Sequence, residues 1–258
     1  PADMKHQKVI LLSKKIYNDR YVDMWFENNL SDVPEPGQFI HIFTGASFIR
    51  RPFSIAEFTK EQFRILFQIK GCGTRNLADK KIGSGIDIIG PVGNCFPIKK
   101  RFNMIYIAAG GVGIAPLLFL ASSLIQNNKK FMFFYGAKTR LDLLDFLMPG
   151  GDYEKVLCTD DGSSGEKGTV VDVIKKYLKQ KKPDVIFSAG PYLMLKGISQ
   201  LCDRYNVEAY VSLENVMFCG LGVCQGCVIN TKTGYKKVCK DGPVFNHRDI
   251  LWQRKALI

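Results

Sequence analysis

Histidine is scarce in this chain, with three in 258 residues. His6, His41 and His247 stand at spacings that match neither a metal site nor a catalytic triad, which excludes chemistry led by a histidine base or a histidine-bound ion. Acidic residues are also in deficit, 24 against 36 Lys and Arg, leaving a net charge of +12. Such a surplus suits an anionic cofactor, an acidic partner or nucleic acid. Much of it lies in lysine runs such as Lys179, Lys181 and Lys182. No aromatic RNA-binding signature or base-reading helix accompanies these runs, so nucleic acid is set aside.

Other absences narrow the class further. The opening PADMKHQKVILLSKK has too short an apolar run and no cleavage-like end for a signal peptide. There is no internal repeat and no low-complexity linker. One stretch, Met104 to Ile125, carries no charge over a length that would span a bilayer. Its Gly110-Gly111-x-Gly113 cluster and Pro116 split it into a short strand and a helix, and lysines flank both ends without an orienting bias. A soluble protein without a membrane span is expected.

What is present is the composition of an ordinary globular protein, 46% hydrophobic and 23% charged, over a length that suits two domains. The chain shows distinct textures. Up to about Asn94 come short β-rich runs (VILLSKKIY, YVDMWFEN, QFIHIFT, FRILFQIK, IDIIGPVG) broken by turns such as Pro34-Glu-Pro-Gly37, which predict a small barrel or sandwich. After Arg101 strands alternate with helices, the pattern of a parallel sheet flanked by helices. From about Val216 a cysteine segment follows. Expected boundaries are 1–100, 101–214 and 215–258.

Half of the eight cysteines fall between Cys219 and Cys239. Cys219, Cys224, Cys227 and Cys239 are spaced C-x4-C-x2-C-x11-C, and the first three match the pattern of plant-type [2Fe–2S] sites. Gly220, Gly222 and Gly226 permit the sharp backbone that lets amides face the sulfurs. The alternatives are a structural zinc, which usually takes two C-x2–4-C pairs at longer separation, and disulfides, which need an oxidising compartment that nothing here suggests. Cys72, Cys95, Cys158 and Cys202 are scattered and read as small buried fillers.

An iron–sulfur cluster moves single electrons, so a supplier is sought elsewhere in the chain. Gly111-Val-Gly113-Ile-Ala-Pro116 reads as a strand-turn-helix whose glycines admit a pyrophosphate to a helix N-terminus, although it lacks the full G-x-G-x-x-G. Gly162 to Thr169 resembles a phosphate loop, but Lys167 and Gly168 stand in the wrong order, and a surface turn before a helix is expected. In the β half, Arg51-Pro52-Phe53-Ser54 offers a fork for phosphate, an aromatic and a hydroxyl. Gly71-Cys-Gly73-Thr74 offers an anion-holding turn with Thr74 as a helix cap. Taken singly, these read more readily as a surface arginine, a core phenylalanine and an ordinary cap.

Taken together, Arg-x-aromatic-Ser, then Gly-x-Gly-Thr, then Gly-Gly-x-Gly-Ile-Ala-Pro resembles the ferredoxin–NADP reductase superfamily over nearly the whole chain. With SLENVMFCG, CGLGVCQGC and VCKDGPVF it looks most like the electron-transfer subunits of NAD-linked, two-subunit dihydroorotate dehydrogenases. The resemblance implies an antiparallel β-barrel that binds FAD, a Rossmann-like parallel sheet with flanking helices that binds NAD(H), and a C-terminal [2Fe–2S] segment. Arg51 and Pro52 would lie by the FAD phosphates, Phe53 by the flavin ring and Ser54 near its N5. Gln68, Ile69 and Lys70 would run beside the flavin or its ribityl chain, with Gly71, Gly73 and Thr74 at the pyrophosphate. Gly110, Gly111 and Gly113 would face the nicotinamide nucleotide with Ala189, Gly190 and Pro191. Phe53 stands where the superfamily often has Tyr, which removes a hydroxyl contact.

The resemblance also implies a cytoplasmic partner, an FMN-containing dihydroorotate dehydrogenase catalytic subunit, in a heterotetramer of two of each. No general acid or base is then needed in this chain, because a flavin exchanges both hydride and single electrons. Relatives serving ferredoxin, a hydrogenase or sulfur reduction, and a zinc-bearing adaptor, are the rival readings. Lys138 and Arg140 follow the run FMFFYGA where a 2′-phosphate would be met, which leaves NADP open.

Overall fold

The computed structural model describes residues 6–46, 48–99 and 101–252, so the first five residues of the opening read above lie outside it. The first half is β-structure: β1 (His6–Tyr17), β2 (Tyr21–Glu27), β3 (Phe39–Ile42), β4 (Arg51–Phe58), β5 (Gln62–Gln68) and, after a short helix α1 (Cys72–Ala78), β6 (Gly85–Val92). They close into an antiparallel barrel in the order β1-β2-β5-β4-β3-β6. Period-two alternation makes this possible. In β6 every second residue is buried, Ile86 and Ile88 entering a core that also holds Val22, Met24, Ile40, Ile42, Phe53, Ile55 and Phe63. Asn18 and Asp19, both in the left-handed region at φ 50° and 52°, turn the chain between β1 and β2, a conformation those side chains tolerate.

The second half alternates as the sequence predicts: β7 (Ile105–Gly110), α2 (Ile114–Gln126), β8 (Phe131–Ala137), β9 (Glu154–Thr159), β10 (Glu166–Lys167), α3 (Val170–Gln180), β11 (Val185–Ala189), α4 (Tyr192–Tyr205) and β12 (Glu208–Ser212). The uncharged run from Met104 becomes β7 and α2. Central strand β7 is buried along its whole length. Helix α2 lies between sheet and barrel, sending Phe119 into the barrel core while Leu117, Leu120 and Leu124 pack on the sheet. A helix covered on both sides needs no polar stripe. No helix among the described residues is long and apolar enough to cross a membrane. The Gly162–Thr169 stretch is a turn followed by the two-residue strand β10, and its Thr169 caps α3, its Oγ1 accepting from the Asp172 N–H at 3.2 Å.

The cysteine segment supplies a hairpin, β13 (Val228–Thr231) with β14 (Gly234–Lys237), then a one-turn helix α5 (Val238–Asp241) and a strand β15 (Val244–Asn246). Strand β15 adds antiparallel to β12, so the sheet runs β10-β9-β8-β7-β11-β12-β15. The order reverses between β7 and β11, the place where open α/β sheets leave a crevice at their carboxyl ends.

Candidate cofactor clefts and cysteine centre

Two adjoining clefts open at that crevice. The first, of about 230 Å³, lies between barrel and sheet and is lined by Pro52, Phe53 and Ser54 of β4, Gln68, Lys70 and Thr74, Gly113 and Pro116 of the β7–α2 junction, and Ala189. Strand alternation explains the split roles within β4. Phe53 is turned into the barrel, 6% exposed, with its ring edge-on to Phe67 at 5.0 Å. Pro52 and Ser54, on the opposite face, are only half-buried. Phe53 is thus core and cleft wall at once.

Beside this cleft is a polar notch. Arg51 and Thr44 converge on Gly73, where a Cβ would fall 3.3 Å from Arg51 Nε and 3.4 Å from Thr44 Oγ1. Thr44 is fully buried and its hydroxyl has no hydrogen-bond partner. A buried orphan hydroxyl next to a guanidinium and a bare backbone fits an anionic group there. No pattern in the sequence points to Thr44. Thr74 caps the helix from inside its first turn rather than from the N-cap position, which Gly71 holds. It sits in the first turn of α1, one turn past the extended Gly71, and its Oγ1 accepts from the N–H groups of Lys70 and Gly71 at 2.9 and 3.1 Å. It therefore both shapes the turn and closes the start of the helix, as the N3 side chain of a capping box does. Ile69 and Gly71 belong to the same turn but to neither cleft wall.

The second cleft, of about 420 Å³, holds Gly110, Gly111, Gly113, Gly190, Pro191 and Lys138, and shares Gln68, Lys70, Val112, Gly113 and Glu214 with the first. The glycines act differently. A Cβ on Gly113 would fall 2.6 Å from the Gly190 backbone, and one on Gly110 would fall 2.4 Å from Met194 Sδ. Gly111, at φ +53°, has nothing within 4 Å and leaves its backbone open to the cleft. Arg140 does not join this wall, because its guanidinium is bonded to Asp145. Asp142 and Asp160 line it instead.

The cysteines come next along the same wall. Leu213, Asn215 and Met217 line the first cleft together with Phe39 and Pro243. Phe39, Leu213 and Met217 also belong to one apolar cluster with Cys227, Cys239 and Val238. Gly220, Gly222 and Gln225 turn the loop through positive φ, which aims its amides inward. Cys219 Sγ accepts from the N–H groups of Leu221 and Cys224, each at 3.4 Å. Cys239 Sγ accepts from Gly222 at 3.2 Å, and Cys224 and Cys227 Sγ accept from Gly226 and Cys239 at 3.4 Å.

Burial works against a Cys219 thiolate, but the N–H groups of Cys224, Leu221 and Val223 and the Cys224 thiol outweigh it and bring the group down to about 6. Burial first, then Cys227, pushes the Cys239 thiol up to about 12. Among the described residues no three His, Cys, Asp or Glu side chains are grouped as a single metal ion requires. The thiols meet in pairs, Cys219 with Cys224 and Cys227 with Cys239. All eight cysteines are free; of the four scattered ones Cys158 and Cys202 are buried as expected, whereas Cys95 is half-buried and Cys72, at the start of α1, is exposed.

Residues 214–251 match the iron-sulfur cluster binding domain of dihydroorotate dehydrogenase B. The whole chain is 37% identical over 248 residues to the dihydroorotate dehydrogenase B (NAD(+)) electron transfer subunit of Caldanaerobacter subterraneus subsp. tengcongensis, covering 94% of this chain and 97% of that one. With its Bacillus velezensis counterpart it shares 36% over 259 residues, 96% and 99% of the two chains. The chain belongs to the dihydroorotate dehydrogenase B electron transfer subunits. Among solved structures, that of an NADH-dependent reduced ferredoxin-NADP oxidoreductase superposes with a TM-score of 0.82 at 28% identity, over 95% of this chain and 90% of that one. The cytochrome b5 reductase domain of Ulva prolifera nitrate reductase shares the fold alone, at 0.64 and 16%, over 78% and 93%. The electron transfer subunit thus carries its iron–sulfur domain against the wall of a reductase-type cleft.

Proposed function

We propose that this subunit passes electrons between the FMN-containing catalytic subunit and NAD+ in the oxidation of dihydroorotate to orotate, through a [2Fe–2S] cluster and FAD, in the cytoplasm. The observation that carries the reading is the shared wall. Phe39, Leu213 and Met217 line the barrel–sheet cleft and pack with Cys227 and Cys239, so a group in the cleft and one on the cysteines are neighbours across dry side chains. FAD and the cluster, when bound, supply exchange of hydride on one side and of single electrons on the other.

The chain's own residues hold and separate these groups. Arg51, Thr44 and the Gly73 turn, with Pro52 beside them, receive the FAD phosphates. Ser54, Gln68 and Lys70 flank the flavin, and Thr74 fixes the turn that carries Ile69 and Gly71. Gly111 opens its backbone to the nicotinamide nucleotide, while Gly110, Gly113, Ala189, Gly190 and Pro191 bring β7 and β11 close enough to shape that cleft. Cys219, Cys224, Cys227 and Cys239 would hold the [2Fe–2S] cluster as its four thiolate ligands. Five amide bonds to sulfur favour the thiolate form that ligation requires. No side chain here has to move a proton.

The cysteine loop also offers a face for the partner. Cys224 is exposed, and around it Val216, Phe218 and Val223 are 51%, 52% and 76% exposed. Apolar side chains grouped at a redox loop suit burial by the catalytic subunit, in an assembly of two of each. The test is to purify the chain alone and with that subunit. Alone it should carry flavin and iron and reduce a dye with NADH, yet leave dihydroorotate untouched. With the partner it should oxidise dihydroorotate and reduce NAD+. Robust dihydroorotate turnover by the isolated chain, or a colourless preparation, would falsify the assignment.

A further inference from the structure

His41 is a buried polar group that the roles above leave without use. It is fully buried, and neither ring nitrogen has a hydrogen-bond partner. A buried polar atom without a partner calls for a reason. Its place on β3 suggests one. Ile40 and Ile42 enter the barrel core, while Phe39, on the face of His41, joins the cluster that contains Cys227 and Cys239. His41 shares that outward face by strand alternation.

The imidazole lies under the cysteine loop. A Cβ placed on Gly220 would fall 2.4 Å from Nδ1, 2.6 Å from Cε1 and 2.9 Å from Cγ of His41. Gly220 is buried, follows Cys219, and precedes the two residues whose N–H groups bond the sulfurs of Cys219 and Cys239. The ring therefore floors the loop on the side where its amides gather.

We propose that His41 is a positioning residue for the iron–sulfur centre, a ring N–H donor reserved for the sulfurs on the cysteine loop. It would join the barrel strand beside the flavin cleft to the first ligand of the cluster. This rests on the iron–sulfur reading above. Hydrogen bonds to sulfur stabilise the reduced, more negative cluster and so raise its potential. Nδ1 is the ring nitrogen nearer the loop, 2.4 Å from where a Gly220 Cβ would fall, and it carries the donor proton.

The test uses the purified holoprotein in a redox titration that reads cluster and flavin separately. His41→Phe keeps the ring and removes the donor, and His41→Asn returns a donor amide. The phenylalanine protein should keep its FAD, and its cluster should become about tenfold harder to reduce, about 59 mV lower for a one-electron couple. The asparagine protein should recover part of the loss. A cluster potential equal to wild type in the phenylalanine protein overturns the proposal, as does an equal shift of flavin and cluster.

If the phenylalanine protein does not retain iron, the wild type decides. With 15N-labelled histidine, pulsed electron paramagnetic resonance of the reduced cluster should show a histidine nitrogen coupling, and its absence overturns the proposal. A wild type without iron would instead sink the iron–sulfur reading itself.

Discussion

Asn94 and Val244, 150 positions apart, clasp each other: Asn94 Nδ2 donates to the Val244 carbonyl at 2.8 Å, and the Val244 N–H donates back to Oδ1 at 2.9 Å. The same amide donates to the Asp241 carbonyl at 3.0 Å, and the Asn94 N–H to that of Gly242 at 2.6 Å. A barrel residue thus fixes the chain just after Cys239, the last of the four thiols. The pair holds the cysteine segment against the cleft wall.

Asn94→Ala should therefore loosen that segment first. Three side-chain hydrogen bonds at about 0.5–1.5 kcal/mol each suggest a loss of roughly 2–4 kcal/mol and, for a chain of this size, a melting point lower by roughly 5–15 °C. Iron should leave before flavin does during stepwise heating. Simultaneous loss of both would show that the clasp holds the whole molecule rather than the segment.

Replacing Cys219, Cys224, Cys227 or Cys239 by Ser should abolish iron binding and transfer to the catalytic subunit. NADH-dye activity should largely remain, since flavin reduction does not need the cysteines. Iron analysis of the four proteins checks the ligand set one residue at a time. Iron retained in Cys239→Ser would remove that residue from it.

Gly220→Ala should mimic those losses without touching a thiol. Its φ of +68° is unfavourable for alanine, and the new methyl would strike the His41 ring. Iron should fall well below one cluster per chain while FAD stays. Full iron content would mean that the loop can lift off the barrel.

Arg51→Ala should weaken FAD retention by roughly ten- to a hundredfold, the worth of a charge-assisted bond of about 1.5–3 kcal/mol. Thr44→Val, which removes the orphan hydroxyl at nearly constant shape, should cost about tenfold or less. Equilibrium dialysis against FAD gives both numbers. Unchanged affinity in the arginine variant would move the phosphate site elsewhere.

Gly113→Ala and Gly111→Ala should part company. The first sets a methyl 2.6 Å from the Gly190 backbone, which no side-chain rotation relieves, and should cost about 1–3 kcal/mol or more of stability. The second meets only a left-handed backbone, φ +53° with open space, at about 1–2 kcal/mol. Its larger effect should be a raised KM for NADH. Urea titration and NADH kinetics separate the two.

Local order was written in the sequence because it depends on neighbours a few residues apart. The alternation in Gly85–Val92 made a barrel strand, the glycines after β7 made a strand-turn-helix, and C-x4-C-x2-C made a loop with amides facing sulfurs. What only the tertiary structure decided depends on residues far apart. The barrel closes rather than lying open as a sandwich because β6 pairs with β1. Strand β15 returns to the edge of the sheet at β12, and Asn94 meets Val244. Thr44 comes to Gly73, and His41 comes to Gly220. No periodicity marks such residues, since burial and partners are properties of the packed chain. Thr44 and His41 are ordinary in a row of letters and become conspicuous only when folding takes away their water and supplies no partner.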